Sequence, residues 1–241
     1  MYSPDGLLVA AGSWSGLLKI WDSSNGACLH SLDLDFAVYK IIFSIDGSRL
    51  AVNTHKTYLL FNLTSRTPRL LTGRAEPENE EDDRGTMAMS LPGDRMVIGR
   101  GSKAEIWSTV SGEHLLDLNE HAAKVTSVAF SPDGAEVAAA STDHTVVVCE
   151  SQTGQRRCVH EMPSMVNSVA YSPNGSFIAI GDRTGRIRVC DTKSGIFIAD
   201  LEGHTRAVEE LQFTADSRNL LSRSDDGTAR MWSVRDVMRI R

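Results

Sequence analysis

The chain lacks the features that mark membrane, secreted and nucleic-acid-binding proteins. It has no apolar run of about eighteen residues, so no membrane-spanning helix is predicted. Its first residues, MYSPDGLLVAAG, lack the basic segment and long apolar stretch of a secretion signal. An excess of basic residues is also missing, since 25 Lys and Arg face 31 Asp and Glu, for a net charge of -6. This balance argues against binding to nucleic acid or anionic membranes through bulk charge.

Cysteine is scarce, and its spacing supports neither a disulfide framework nor a metal site. The four cysteines form no CxxC pair and lie mostly within apolar runs: Cys28, Cys149, Cys158 and Cys190. Reduced, buried thiols are therefore favoured, which indicates a cytoplasmic location, with the nucleus as the alternative. The sequence also lacks a P-loop, a dinucleotide glycine pattern, zinc-ligand spacing and a nucleophile elbow, so we expect no cofactor and no metal.

What the sequence does contain is a repeat. A four-residue turn of the Ser-Pro-Asp-Gly type follows an apolar segment six times, starting at positions 3, 44, 90, 131, 172 and 214. Four of the five intervals are 41 or 42 residues, and the step from the second turn to the third is 46. A period of about 40 to 45 residues is typical of one four-stranded propeller blade.

The local chemistry of each repeat predicts β-strands. Proline presets the first central residue of the turn, and glycine ends it. In the strand before the fourth turn, Val128 and Phe130 share one face while Ser127 and Ala129 share the other. Small residues on one face suit an innermost strand, where neighbouring blades converge. No segment has a convincing helical period, so the chain is predicted to be all-β.

These repeats resemble the WD-repeat (WD40) β-propeller family over essentially the whole chain. The closing dipeptide of that family is intact at Trp21-Asp22 and half-kept at Trp107-Ser108, Cys190-Asp191 and Trp232-Ser233. The resemblance implies one propeller domain over residues 1–241, with about six four-stranded antiparallel blades. The predicted units are approximately 1–35, 36–73, 85–119, 120–162, 163–202 and 203–241, with an acidic loop at 74–84.

The two ends of the chain, and the long interval between the second and third turns, lead to separate expectations. The first unit has only Met1 and Tyr2 before its turn, so its inner strand is missing, and only 237–241 remain for a fourth strand in the last unit. This favours a piece of a larger propeller over an imperfectly closed ring of six. The 74–84 segment carries a charge of -4 and is expected to be a solvated connection rather than a calcium site.

The resemblance also implies a hydrogen-bonded network within the blade. Only the last unit has the full set, namely His204, Ser222, Asp226 and Trp232. A hydrolase triad is the competing interpretation, but Ser222 lies within a predicted strand and lacks a glycine-flanked elbow. The fourth unit keeps His121 and Asp143, whereas Ala139 and Cys149 replace the hydroxyl and the indole, so apolar packing is expected to hold that blade together.

The leading functional hypothesis is a non-catalytic scaffold for protein or peptide partners. Regular blades of this kind also resemble the sensor arrays of large NTP-dependent signalling proteins. The resemblance places the connections between blades, and the turns between second and third strands, on one partner-binding face. That face would carry Trp14, Tyr39, Lys124, Met165, Asn167, Arg183, Glu209 and Asp225.

Within the turn Gly12-Ser-Trp-Ser-Gly16, Trp14 would either contact a partner or fold over a neighbouring blade. The alternative function is a propeller enzyme or small-ligand binder that uses the central opening. The predicted inner strands offer few charged groups for such chemistry: Lys40, Lys124, Glu209 and Glu210. No nucleic acid or membrane partner is expected.

Overall fold

The computed structural model describes residues 1–54, 57–63, the backbone of 67–70, and 85–234. These residues form strands that assemble into six antiparallel sheets. Sheet 1 contains β1 (Leu8–Gly12), β2 (Leu17–Asp22) and β3 (Cys28–Asp33). Sheet 2 contains β4 (Val38–Phe43), β5 (Arg49–Thr54), β6 (Tyr58–Asn62) and β7 (Thr67–Leu70). Sheet 3 contains β8 (Thr86–Met89), β9 (Arg95–Arg100), β10 (Lys103–Ser108) and β11 (His114–Leu118).

The remaining three sheets repeat the pattern. Sheet 4 contains β12 (Val125–Phe130), β13 (Glu136–Ser141), β14 (Thr145–Glu150) and β15 (Arg156–Glu161). Sheet 5 contains β16 (Val166–Tyr171), β17 (Phe177–Asp182), β18 (Ile187–Asp191) and β19 (Phe197–Leu201). Sheet 6 contains β20 (Val208–Phe213), β21 (Asn219–Ser224) and β22 (Ala229–Ser233). Within each sheet, strands that are consecutive in the chain are hydrogen-bonded neighbours, so every sheet is a simple meander.

The prediction of an all-β fold with about six antiparallel blades is confirmed. Sheet 1 lacks the inner strand, and Tyr2 supplies only an isolated bridge to Val9. Sheet 6 has three strands among the described residues. The acidic loop predicted at 74–84 and the candidate fourth strand at 237–241 lie outside the described residues.

The meander gives every sheet two distinct ends. We call the lower end the one that holds the Ser-Pro-Asp-Gly turns and the turns between third and fourth strands. The upper end holds the turns between second and third strands and the connections to the next sheet. In the lower turn of sheet 2, Asp46 Oδ1 accepts hydrogen bonds from the Ser44 hydroxyl and, at 3.0 Å, from the Ser48 backbone N–H. Gly47 closes that turn with a φ of 66°.

The core consists of seams between consecutive sheets. Five clusters of buried side chains among the described residues each join one sheet to its neighbour, from sheets 1 and 2 through to sheets 5 and 6. Leu18 and Leu50 are fully buried in the first seam, and Ile178 and Val166 in the fourth. No such cluster of described residues joins sheet 6 to sheet 1, and the sheets do not close into a ring.

At three of the five seams, a glycine on the second strand of the blade lies very close to the next sheet. A Cβ on Gly12, Gly99 or Gly181 would lie less than 3 Å from a valine of the next sheet. Those valines are Val38, Val125 and Val208. Ala140 and Asn53 occupy the equivalent register positions in sheets 4 and 2, whereas sheet 6 has Arg223 there.

The cysteines only partly follow the sequence-based expectation. All four are free thiols; Cys149 and Cys190 are buried, and Cys158 is partly buried. Burial raises the pKa of both Cys149 and Cys190 to about 11, so these thiols stay protonated. The expectation of burial is wrong for Cys28, which is exposed because β3 is the solvent-facing outer strand of sheet 1.

Within the described part of the chain, no helix is long and apolar enough to cross a membrane.

Candidate functional site

The four polar residues singled out in the last repeat lie within hydrogen-bond distance of one another. The Trp232 indole N–H donates to Ser222 Oγ at 2.8 Å, and Ser222 Oγ lies 2.7 Å from His204 Nε2. On the other side of the ring, His204 Nδ1 lies 2.8 Å from Asp226 Oδ2. The bonds are all satisfied if Nδ1 carries the imidazole proton and Ser222 donates to Nε2. The chain of bonds connects β22, β21, the upper turn of sheet 6 and the connection from sheet 5.

Thr228 completes this network and was not recognised from the sequence. Its hydroxyl donates to Asp226 Oδ1 at 2.6 Å, and the Thr205 backbone N–H donates to Oδ2 at 3.1 Å. Hydrogen bonds from Thr228 first, and then from His204, hold the pKa of Asp226 well below its usual range. A threonine two residues after the turn aspartate, also found at Thr145 after Asp143, is the sequence signal that could have identified it.

The network of sheet 4 is more complete than its sequence indicates. His121 Nδ1 lies 2.9 Å from Asp143 Oδ2, and Nε2 lies 3.0 Å from the carbonyl oxygen of Ala139. A backbone carbonyl stands in place of the missing hydroxyl, so this polar contact adds to the apolar packing of Val137, Ala139, Val147 and Cys149. The buried His121 and the partly buried Asp143 give sheet 4 the same imidazole–carboxylate contact across its upper end as sheet 6.

The geometry of the sheet 6 network indicates a structural role and not a catalytic one. The Ser222 residue is 2% exposed and His204 is 6% exposed, so a substrate has no path to the hydroxyl. Ser222 lies in the middle of β21 and pairs with Leu211 and Arg230 on its two sides. A nucleophilic serine needs an exposed Oγ beside an oxyanion site, which this strand position does not provide.

The eight residues predicted for a partner-binding face all lie at or near the upper ends of their sheets. Six of them form three pairs. Trp14 and Tyr39 stack edge to face with ring centroids 5.6 Å apart. Asn167 Nδ2 donates to Glu209 Oε1 at 2.7 Å, and an Arg183 guanidinium nitrogen lies 3.5 Å from the Met165 sulfur. Lys124 lies just before β12, and Asp225 lies in the upper turn of sheet 6.

Trp14 combines the two alternatives that its sequence context left open. The residue contacts the neighbouring sheet through Tyr39, yet it is still 73% exposed. Its turn is held by the Ser13 hydroxyl, which accepts the Leu17 backbone N–H at 3.0 Å. The turn is therefore hydrogen-bonded, and the indole contacts Tyr39 while most of its surface remains exposed.

The charged residues of the inner strands engage different neighbours. Lys40 Nζ donates to the Met87 carbonyl at 3.1 Å, Glu209 accepts from Asn167, and Glu210 lies 3.4 Å from Arg223. Among the described residues, no group of three or more His, Cys, Asp or Glu side chains is arranged to hold a metal ion.

Comparison with known proteins identifies the same repeats over more than half of the chain. The WD40 family model (WD domain, G-beta repeat) matches residues 1–22, 112–149, 156–191 and 195–233. WD repeat-containing protein 1 of Mus musculus is 24% identical over 97% of this chain and 33% of its own length. The Bos taurus protein of the same name is 26% identical over the same shares.

A second kind of relative is apoptotic protease-activating factor 1. The Rattus norvegicus protein is 25% identical over 96% of this chain, which corresponds to 22% of that protein. The chain thus spans about a third or less of the length of these curated relatives.

Proposed function

The chain belongs to the WD40 family, and we propose that it is a non-catalytic scaffold that binds protein partners at its upper end. WD40 repeat proteins are generally non-catalytic scaffolds for protein interaction. A stack of rigid sheets with short loops at one end presents a broad surface on which individual side chains set specificity.

The exposed Trp14 and Tyr39 pair is the observation that carries this proposal. Tryptophan and tyrosine are enriched at the energetic centres of protein interfaces, because a large rigid ring buries much area at little entropic cost. Trp14 exposes 73% of its surface at the seam between sheets 1 and 2, and its turn is hydrogen-bonded. A partner that covers this indole gains apolar burial without ordering a flexible loop.

We further propose that the scaffold is part of the repeat array of a larger signalling protein. The similarity to apoptotic protease-activating factor 1 supports this proposal, as does the small share of each relative that the chain covers. In such an array the upper end would act as the sensor surface of an NTP-dependent protein.

The test is affinity capture from cell extract with the full chain and its Trp14→Ala variant, followed by quantitative mass spectrometry. Partners that depend on the upper end should be recovered with the wild type and lost with Trp14→Ala. Phe197→Ala is the matched control, since Phe197 is a 42%-exposed aromatic residue on an outer strand. Equal recovery by all three proteins, or no recovered partner together with turnover in a hydrolase panel, would overturn the proposal.

A further inference from the structure

The exposed pair at the seam between sheets 1 and 2 forms a nearly perpendicular aromatic corner. We use this name for Trp14 and Tyr39, whose ring planes are 76° apart with centroids separated by 5.6 Å. Trp14 lies in the turn between β1 and β2, and Tyr39 lies in β4, the inner strand of sheet 2. Trp14 is 73% exposed in this arrangement. The corner therefore offers aromatic surface to a group from outside the chain.

The connection from sheet 1 to sheet 2 lies directly against the turn between β1 and β2. The Leu34 backbone N–H donates to the Gly16 carbonyl at 3.0 Å, and the Val38 N–H donates to the Ser13 carbonyl at 3.0 Å. A Cβ on Gly16 would lie 3.2 Å from the Asp35 backbone nitrogen. Asp35 is therefore held beside the aromatic corner by the same contacts that position the turn.

Two carboxylates belong to this part of the surface. Asp33 is exposed, and its Oδ1 accepts the Asp35 backbone N–H at 3.2 Å. Asp35 is exposed as well, and its φ of 59° is a left-handed conformation that Asp and Asn adopt more readily than most residues. No Lys, Arg or His side chain of the described residues forms an ion pair with either carboxylate. Their negative charges are therefore available to a partner.

The chemistry of this surface favours a cation. The faces of Trp and Tyr rings carry negative electrostatic potential, which attracts an ammonium or guanidinium group placed within about 6 Å of the ring centroid. The nearby carboxylates strengthen that attraction and would repel an acidic side chain. The whole chain has a net charge of -6, which favours the approach of a positively charged segment. A purely apolar occupant would contact the rings but would leave the carboxylates without a partner.

We propose that the aromatic corner binds a lysine or arginine side chain from an exposed basic segment of a protein partner. The cation would lie on the exposed surface of Trp14, and Asp33 or Asp35 would accept a charge-assisted hydrogen bond from it. This inference rests on the proposed scaffold function and adds the charge of the partner at this position. It makes Trp14 a determinant of specificity as well as a source of buried area.

The test is selection of a phage-displayed random peptide library against the full chain, followed by fluorescence anisotropy on the enriched peptides. These peptides should share a Lys or Arg residue. Replacing that residue with norleucine, which is neutral and of similar length to lysine, should lower the affinity about fivefold or more. Because this replacement changes the peptide alone, its result is independent of how any variant of the chain folds.

Variants of the chain locate the binding site. Trp14→Leu keeps an exposed apolar side chain but removes the aromatic face, so it should lower the affinity for the basic peptides about fivefold. Asp35→Asn removes a charge and suits the left-handed conformation, and it should weaken the same peptides about threefold. Glu202→Gln is the matched control, since Glu202 is an exposed carboxylate in the connection from sheet 5 to sheet 6. This control should bind the peptides like the wild type.

Several outcomes would overturn the inference: no enriched peptide, enrichment without a basic residue, undiminished binding to Trp14→Leu, or equal losses in Asp35→Asn and Glu202→Gln. The scaffold proposal is tested separately, by affinity capture with Trp14→Ala. Captured partners that are lost with Trp14→Ala, together with peptides that show no basic preference, would refute only the charge assigned to the partner.

Discussion

At the scale of single residues, buried polar groups decide how firmly each sheet is tied at its upper end. In sheet 6 the Ser222 hydroxyl accepts from Trp232 and bonds His204, and all three side chains are buried or partly buried. A buried donor that loses its partner keeps its desolvation cost without compensation. The Ser222 hydroxyl therefore stabilises two neighbours at once.

We predict that Ser222→Ala lowers the free energy of unfolding by about 1–3 kcal/mol, since it leaves the Trp232 N–H and His204 Nε2 without their partner. Urea unfolding followed by tryptophan fluorescence would measure this loss. Ser31→Ala, on an exposed position of β3, is the control and should change little. Equal stability of Ser222→Ala and wild type would contradict a stabilising role for the network.

Asp182, in sheet 5, is by contrast a buried polar residue whose hydrogen bonds are incomplete among the described residues. Its Oδ2 is buried and has no hydrogen-bond partner among the described residues, while Oδ1 accepts from Thr184 and Arg186. Ser141 and Ser224 occupy the same register position in sheets 4 and 6. Their hydroxyls donate to the carbonyl eighteen residues earlier, at 3.0 Å in both cases. A carboxylate cannot make that donation.

Asp182→Ser should therefore stabilise the chain by about 1 kcal/mol, because a hydroxyl replaces an unsatisfied carboxylate oxygen and gains a carbonyl acceptor. Differential scanning calorimetry would detect a higher melting temperature. Asp182→Ala removes the carboxylate without adding a donor, and it should fall below Asp182→Ser. A melting temperature of Asp182→Ser below that of the wild type would contradict this account.

At the scale of elements, the carboxylate of a lower turn makes the contribution of that turn to stability depend on pH. Hydrogen bonds from the Ser44 hydroxyl, and then from Ser48, lower the pKa of Asp46 from 3.8 to about 2. The folded state thus binds this proton less readily than the unfolded state. The stability from this turn is fully present above about pH 4 and is lost as the pH falls toward about 2.

Asp46→Asn should consequently destabilise the chain slightly at neutral pH, and its deficit should shrink to zero between about pH 4 and about pH 2. Urea midpoints across that range would show the convergence. Asn174 occupies the same turn position in sheet 5, so Asn174→Asp should give the opposite trend. A deficit of Asp46→Asn that stays constant with pH would contradict the assignment.

The seams between sheets depend on the absence of a side chain. A Cβ on Gly181 would lie 2.8 Å from Val208 Cγ1 and 2.5 Å from Ser168 Oγ. We predict that Gly181→Ala costs about 1–3 kcal/mol through overpacking. A double-mutant cycle with Val208→Ala should recover part of that loss, because the valine methyl groups supply the clash. Strict additivity of the two changes would contradict direct contact.

The elements themselves could be predicted from the sequence, whereas the seams could not. Alternating residues and the turn motif are local, so the strand before the fourth turn could be predicted, and β12 is observed there. The bond from His121 to the Ala139 carbonyl is invisible in a sequence, because every residue has a carbonyl. A cavity beside Glu136, between sheets 4 and 5, depends on the distance between two sheets, which no local pattern encodes.

At the scale of the whole molecule, the array has an outward surface on sheet 6 that differs from every seam. Leu221 and Met231 are cross-strand partners on that surface and are 42% and 68% exposed. Beside them, Arg223 pairs with Glu210 at 3.4 Å. An arginine at this register position excludes the close valine contact that Gly12, Gly99 and Gly181 accept.

Met231→Lys should leave the melting temperature almost unchanged, since exposed substitutions away from special features change stability by about 0.5 kcal/mol or less. Self-association at high concentration should decrease, because an exposed apolar pair is disrupted. Sedimentation velocity would measure the second effect. Leu220→Lys, on the fully buried face of the same strand pair, is the contrasting variant and should unfold the sheet. Severe destabilisation by Met231→Lys would contradict the exposure of this surface.

The contact between a glycine and a valine of the following sheet also limits how the repeats can be duplicated during evolution. Each contact spans two repeats, so the unit that must be copied intact is the seam and not the single sheet. Gly12, Gly99 and Gly181 meet equivalent valines, which makes the successors of sheets 1, 3 and 5 exchangeable at this contact. Arg223 breaks that equivalence. A duplication that placed a valine-bearing sheet directly after sheet 6 would need a compensating substitution at position 223.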